Sequence, residues 1–266
     1  MLKRIITAIV ALIVFFAVLF AGVIPFQIAV GLVILFMLHE VYGAMTKSAA
    51  VKGCGFLCSL ILMAGMYFHI TEIAVLAAIA GTMVFLVALH GKVDHRELFA
   101  AVFMTVYVTL FTGCIAIIRG KLGIAATGVL FIIAWGSDTA AYFCGTFLGK
   151  HKLIPRVSPK KTVEGSVGAV IIAALLCVLY AFIMQKCGHP LGGLAAKAGY
   201  MHFALIGAVC SAASQLGDLT ASAVKRDTGI KDYGRIFPGH GGFMDRFDSV
   251  IFIAPIVYYF MSVIIF

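Results

Sequence analysis

The chain runs through long apolar stretches separated by short polar interruptions. Windows of about 18 or more mostly apolar residues mark membrane-crossing helices. Nine such stretches can be read, at 5–24, 27–45, 54–70, 73–90, 98–118, 122–143, 166–185, 201–223 and 249–266. The first opens with Lys3-Arg4, as a signal peptide would, but its apolar run is long and lacks a clear small-x-small cleavage site, so it reads as a span. The pattern predicts an all-α polytopic membrane protein of about nine transmembrane helices. With no compelling internal repeat or low-complexity linker, 1–266 reads as one integral membrane domain, divided into N-terminal helices (1–120) and a more polar half (121–266).

Composition supports this. The chain is 63% apolar and 12% charged, whereas an ordinary soluble domain is about a quarter charged. The net charge of +9 suggests nucleic acid until its distribution is counted. With nine spans, alternate loops fall on opposite sides of the membrane. One side then holds sixteen of the Lys and Arg residues, and the other holds only Arg119, Lys121, Lys186 and Lys197. That asymmetry predicts a cytoplasmic N-terminus and cytoplasmic loops at 144–165 and 224–247, with no nucleic-acid partner. The seven cysteines lie mainly in apolar spans and form no C-x-x-C pair, so neither a disulfide framework nor a zinc site is expected.

Polar residues inside such a chain need partners or water. In the early half the main oddity is His39-Glu40, which reads as interfacial snorkelling or a satisfied interhelical hydrogen bond rather than as catalytic. The second half is different. Asp138 lies within the sixth span, in Trp135-Gly-Ser137-Asp138-Thr139. Ser158-Pro159-Lys160-Lys161-Thr162 lies in a polar loop, where phosphate binding and anchoring to anionic lipid are equally good readings of the lysine pair. Ser211, Ser214, Asp218 and Ser222 recur at helical spacing on one face, which must look onto protein or a water-filled cavity.

Charge concentrates after that stripe. Five of the eleven acidic residues and five of the twenty Lys and Arg lie between Asp218 and Asp248. Asp245 and Asp248, three apart at the start of the last span, can share a helical face. One acid would serve as a helix cap, but two of them beside Arg246 exceed that need. Carboxylates in this setting suit a hard divalent ion that shares its coordination with phosphates, so Asp218, Asp245 and Asp248, with Asp138 a weaker fourth, are candidate metal ligands. Pro238-Gly239-His240-Gly241-Gly242 lets backbone N–H groups approach an anion, near Lys225, Arg226, Lys231 and Arg235. No G-x-x-x-x-G-K-[ST], G-x-S-x-G or H-E-x-x-H motif occurs. Metal-assisted phosphate chemistry at a cytoplasmic membrane face is as far as these residues lead.

The run Ser222 to Asp248 closely resembles the signature of the phosphatidate cytidylyltransferases, or CDP-diglyceride synthetases. It has S-x-x-K-R at Ser222/Lys225-Arg226, K-D at Lys231-Asp232, P-G-H-G-G at Pro238 to Gly242, and D-R-x-D at Asp245-Arg246/Asp248. The segments from Ser137 and Ser158 also look like family elements, so the specific resemblance covers about residues 135–250. It implies a cytoplasm-facing polar active-site cavity, a Mg2+-dependent transfer of cytidylyl from CTP to phosphatidic acid, and a homodimer in the bacterial inner membrane. Catalytic roles are implied for Asp218, Lys225, Arg226, His240, Asp245 and Asp248. Substrate contacts are implied for Ser158, Lys160, Lys161, Ser222, Lys231, Arg235, Gly239, Gly241, Gly242 and Arg246. A CTP-dependent polyprenol or phytol kinase and a transporter are the alternatives.

The charge asymmetry generates a topology prediction. In a cysteine-free background, a cysteine at Ser158 should be shielded from an impermeant thiol reagent in intact cells, while one at Lys197 should label. Labelling at 158 from outside would overturn this orientation.

Overall fold

Backbone surrounded by hydrocarbon has no water to satisfy it, so apolar runs of this length close their hydrogen bonds internally as helices. The computed structural model describes residues 2–188, 190–237, 239 and 241–264, with the backbone alone for 2–5, 190–198 and 264. In chain order the helices are α1 (Leu2–Phe20), α2 (Val23–Met45), α3 (Ala49–Tyr67), α4 (Thr71–Ala88), α5 (His95–Ile117), α6 (Gly123–Phe147), α7 (Val163–Lys186), α8 (Pro190–Asp227) and α9 (Met244–Ile264).

Among the described residues, seven helices are long and apolar enough to cross a membrane, so the expected nine spans are not reached. The apolar part of α1, Ile6–Phe20, is short. The spans expected at 98–118 and 122–143 form one helical run, His95–Phe147, joined by a π-helical turn at Ile118–Leu122. That run has a backbone break: Gly123 takes φ 84° and ψ −176°, a conformation suited to a residue without Cβ. A second break, at Gly199 with φ 70° and ψ 158°, divides α8 and leaves Gly199–Asp227 as its membrane-length part.

The loop expected between α6 and α7 contains a small antiparallel hairpin, β1 (Lys152–Ile154) and β2 (Ser158–Thr162), paired Lys152 to Thr162 and Ile154 to Ser158. At its end Thr162 caps α7 by accepting from Gly165 N at 3.2 Å. Glu164 accepts from the backbone N–H groups of Lys150 (3.1 Å) and His151 (3.2 Å), closing the hairpin base.

The chain sorts into two units. The first comprises 1–116 and 228–246, and the second 117–227 and 247–266. The main break lies close to the expected 120/121 boundary, but most of the charged segment after α8 belongs with the N-terminal helices. Within the first unit, side-chain hydrogen bonds tie helices together: Ser59 to Thr109 at 2.9 Å, the Thr46 hydroxyl donating to the Glu97 carboxylate at 2.5 Å, and Tyr42 to Thr105.

The second unit is built on close packing of small residues. Ala169, Ala173, Cys177 and Ala181 form a buried stripe on α7. Gly207 of α8 approaches so closely that a Cβ there would lie 2.7 Å from the Ala173 carbonyl oxygen. Helices gain little from apolar burial between themselves in lipid, so such contact supplies much of their association. Gly207→Ala should therefore lower the thermal midpoint in detergent, the overpacking costing about 1–3 kcal/mol. Gly53→Ala, where a Cβ meets nothing within 4 Å, should not. Equal midpoints for the two variants would contradict this packing account.

Candidate active site

The polar stripe of α8 is where the second unit departs from hydrocarbon packing. Ser211 and Ser214 are fully buried, and Asp218 and Ser222 half-buried, on the face expected from their spacing. Ser211 pairs with Ser137 of α6 at 2.7 Å. One turn further, Gln215 donates to the Ser166 carbonyl of α7 at 3.2 Å and accepts from the Ser166 hydroxyl. The buried Ser214 hydroxyl has no hydrogen-bond partner among the described residues, which is uncommon for a buried polar atom.

The stripe leads to a cluster of acids. Asp218 accepts a 2.5 Å ion pair from Lys161 of β2 and a 3.4 Å hydrogen bond from Ser222. Lys161 is half-buried at this contact, while its neighbour Lys160 is exposed. Asp248, on the first turns of α9, is 8% exposed, and the charged groups acting on it are Asp218, Lys225 and Asp138. Its Oδ1 accepts from Ser249 N at 2.8 Å, while the Ser249 hydroxyl donates to Asp138 at 3.2 Å. The helices meet tightly at this level: a Cβ on Gly217 would lie 2.6 Å from the Asp248 carbonyl and 2.7 Å from Phe252 Cβ. Arg226 donates from Nε to Val157 O at 3.4 Å, tying the end of α8 to the hairpin.

The rest of the signature segment belongs to the first unit. Asp245 Oδ2 accepts from Tyr233 N at 2.8 Å and from Gly242 N at 3.0 Å, holding the loop against the start of α9. Gly241 has φ 83°, and a Cβ there would lie 2.9 Å from the same carboxylate oxygen. Gly242 is buried, and Gly239 is exposed. Lys231, Arg235 and Arg246 are exposed, and Ser158 of the hairpin is half-buried. His240 and Pro238 lie outside the described residues.

One residue of this segment's surroundings escapes the sequence reading. Glu40 of α2 accepts from Phe243 N at 3.0 Å and from Met244 N at 2.9 Å. The expectation of a satisfied hydrogen bond is met, but the partner is the backbone entering α9. The signal available beforehand was an acid inside an apolar span; its partner, some 200 positions away, was not legible.

No group of three or more His, Cys, Asp and Glu side chains that could hold a metal ion occurs among the described residues. The donors present are nevertheless hard oxygens: Asp138, Asp218 and Asp248, with the partnerless Ser214 hydroxyl on the Asp218 face. Mg2+ commonly takes one or two carboxylates and completes its shell with waters and substrate phosphates, so this donor set fits it. Two grooves among the described residues are apolar, one between α3 and α4 at Cys54 and Ala78, the other between α6 and α7 at Trp135 and Leu176. Neither contains an acid of the cluster.

Known proteins resemble this chain in sequence over most of its length. A phosphatidate cytidylyltransferase of Bacillus subtilis (strain 168) is 32% identical over 277 residues, covering 98% of this chain and 98% of the relative. One from Staphylococcus aureus (strain COL) is 33% identical over 263 residues, covering 96% of each. One from Synechocystis is 42% identical over 143 residues, covering 54% of this chain and 45% of the relative. The family profile described as cytidylyltransferase matches residues 2–264, and this chain belongs to the cytidylyltransferase family.

Proposed function

We propose that this protein transfers the cytidylyl group of CTP to phosphatidic acid, giving CDP-diacylglycerol and pyrophosphate for phospholipid synthesis. The observation that carries the reading is the cluster of Asp218, Asp248 and Asp138 beside Lys161 and Lys225, in a chain whose full-length relatives bear that activity's name. A phosphate oxygen of phosphatidic acid attacks the α-phosphorus of CTP. A new P–O–P linkage forms, the α–β phosphoanhydride breaks, and pyrophosphate leaves. The attacking oxygen is already anionic, so the protein need not supply a strong base. Its work is to bring two anions together and to offset charge on the leaving group.

Within this reading Lys225, Arg226, Lys160 and Lys161 bind phosphates. Lys161 pairs with Asp218 and would turn to phosphate when substrate enters. Asp218 and Asp248 would hold Mg2+, with Asp138 contributing, and the ion would neutralise phosphate charge; a ligand role for Asp245 rests on the sequence and the family resemblance alone. The family resemblance implies further substrate contacts for Ser158 and Ser222 and, separately, for Lys231, Arg235, Gly239, His240, Gly241, Gly242 and Arg246, with the active site facing the cytoplasm. Ten of the twenty Lys and Arg lie in 144–165 and 224–247, loops separated by two membrane-length helices, which supports that orientation, and bacterial relatives support the inner membrane. A homodimer rests on the family resemblance alone.

Two predictions follow from the site. Asp248→Asn should reduce turnover by on the order of 10²–10³ or more, while the thermal midpoint holds or rises because one of three mutually repelling carboxylates is gone. Near-normal activity across a Mg2+ titration would remove Asp248 from the ligand set. The reaction itself is tested with purified protein, Mg2+, phosphatidic acid and CTP labelled at the α or the γ phosphorus. Cytidylyl transfer places α label in lipid and releases γ label as pyrophosphate. Given a lipid alcohol, a kinase would place γ label in lipid and release CDP, and that outcome would overturn the assignment.

A further inference from the structure

A helix start leaves its first N–H groups without partners inside the helix, and where they are buried they need partners from elsewhere in the chain. At the start of α9 two carboxylates divide the task. Asp245 takes the N–H groups of Gly242 and Tyr233, and Glu40, from α2, takes those of Phe243 and Met244. Glu40 is 5% exposed, a costly position for a carboxylate unless it does something for its surroundings.

The fit around Glu40 is close on every side. Gly234 and Gly242 both face its carboxylate, and a Cβ on either would overlap it. One turn earlier on α2, Phe36 stacks on Phe243 with centroids 5.2 Å apart and planes at 9°. Phe237 packs edge-on against the same ring at 4.8 Å, beside a Phe237–Gly241 backbone bridge. Helix α2 thus grips the residues on both sides of the glycine cluster. Neither Gly234 nor Gly242 has a positive φ, so the overlap with Glu40 is the steric reason for glycine at these two positions.

The geometry points to Glu40 as a positioning residue: acting through the backbone of Phe243 and Met244, it fixes the first turn of α9 and so the aim of Asp245. The consequence for turnover rests on the cytidylyl-transfer reading, whereas the consequence for the backbone does not. Glu40 touches no substrate in this account. Its replacement should resemble loss of a residue that orients a ligand, an effect of about 10–100-fold.

The test compares wild type with Glu40→Gln, which keeps the side-chain volume but can offer an acceptor to only one of the two N–H groups. Hydrogen exchange of peptides covering 233–250 should quicken in the variant while α6 and α7 stay protected. In the α-labelled CTP assay kcat should fall about 10–100-fold with KM for phosphatidic acid little changed. If Glu40→Gln does not fold, Gly234→Ala displaces the carboxylate from the opposite side and should show the same pattern. In the Glu40→Ala background, where the clash is absent, Gly234→Ala should add little. Unchanged exchange, or a kcat loss no greater than the loss of folded protein, overturns the inference. An inactive wild type would instead sink the reaction reading, and the exchange comparison would still decide the role of Glu40.

Discussion

A carboxylate in a helix bundle bounded by hydrocarbon persists only where a cation, a hydrogen-bond donor or water compensates it. In this protein the acids near the signature are each compensated differently. Lys161 reaches Asp218 from the hairpin, Ser249 reaches Asp138 through its hydroxyl, and backbone N–H groups take Asp245 and Glu40. Asp248 is the most buried of the aspartates here and the least well offset: a single N–H of the next residue and the charge of Lys225 face two neighbouring carboxylates. Such an arrangement favours arrival of a cation. It also explains why small residues gather here, since Gly217 lets α8 approach the Asp248 backbone closely enough to bring the acids together.

The same constraint orders the chemistry. Both proposed substrates are anions, and a site lined only with bases would bind them without distinguishing ground state from transition state. Pairing Lys161 with Asp218 keeps both groups half-buried and compensated until phosphate arrives. The exposed Lys160, adjacent on the strand, is then left for the outer surface or for the first encounter with phosphate. In the proposed reaction the carboxylates and the lysines would exchange partners with metal and phosphate.

Much of this was legible in the chain because the signals were local. The spacing of Ser211, Ser214, Asp218 and Ser222 placed one polar face on α8, and the 27 residues from Ser222 to Asp248 carried the family resemblance. What was not legible was long-range or depended on backbone detail. Glu40 looked like an isolated polar residue because its partners, Phe243 and Met244, come two hundred positions later. The π-helical turn before Gly123 merged two apolar runs that hydropathy separates. The hairpin at 152–162 is too short and too charged to show strand alternation beforehand. That Gly242 faces the Glu40 carboxylate was equally hidden, because α2 is so distant in the chain.

In the proposed reaction Asp218 and Asp248 form an incomplete cation site that phosphate completes. Binding of Mn2+ to purified protein, followed by electron paramagnetic resonance with and without CTP, is the decisive measurement. Weak Mn2+ binding is expected without CTP, much tighter binding with CTP, beyond that of CTP in solution, and loss of this gain in Asp248→Asn. Equal Mn2+ binding by wild type and Asp248→Asn in the presence of CTP would contradict it.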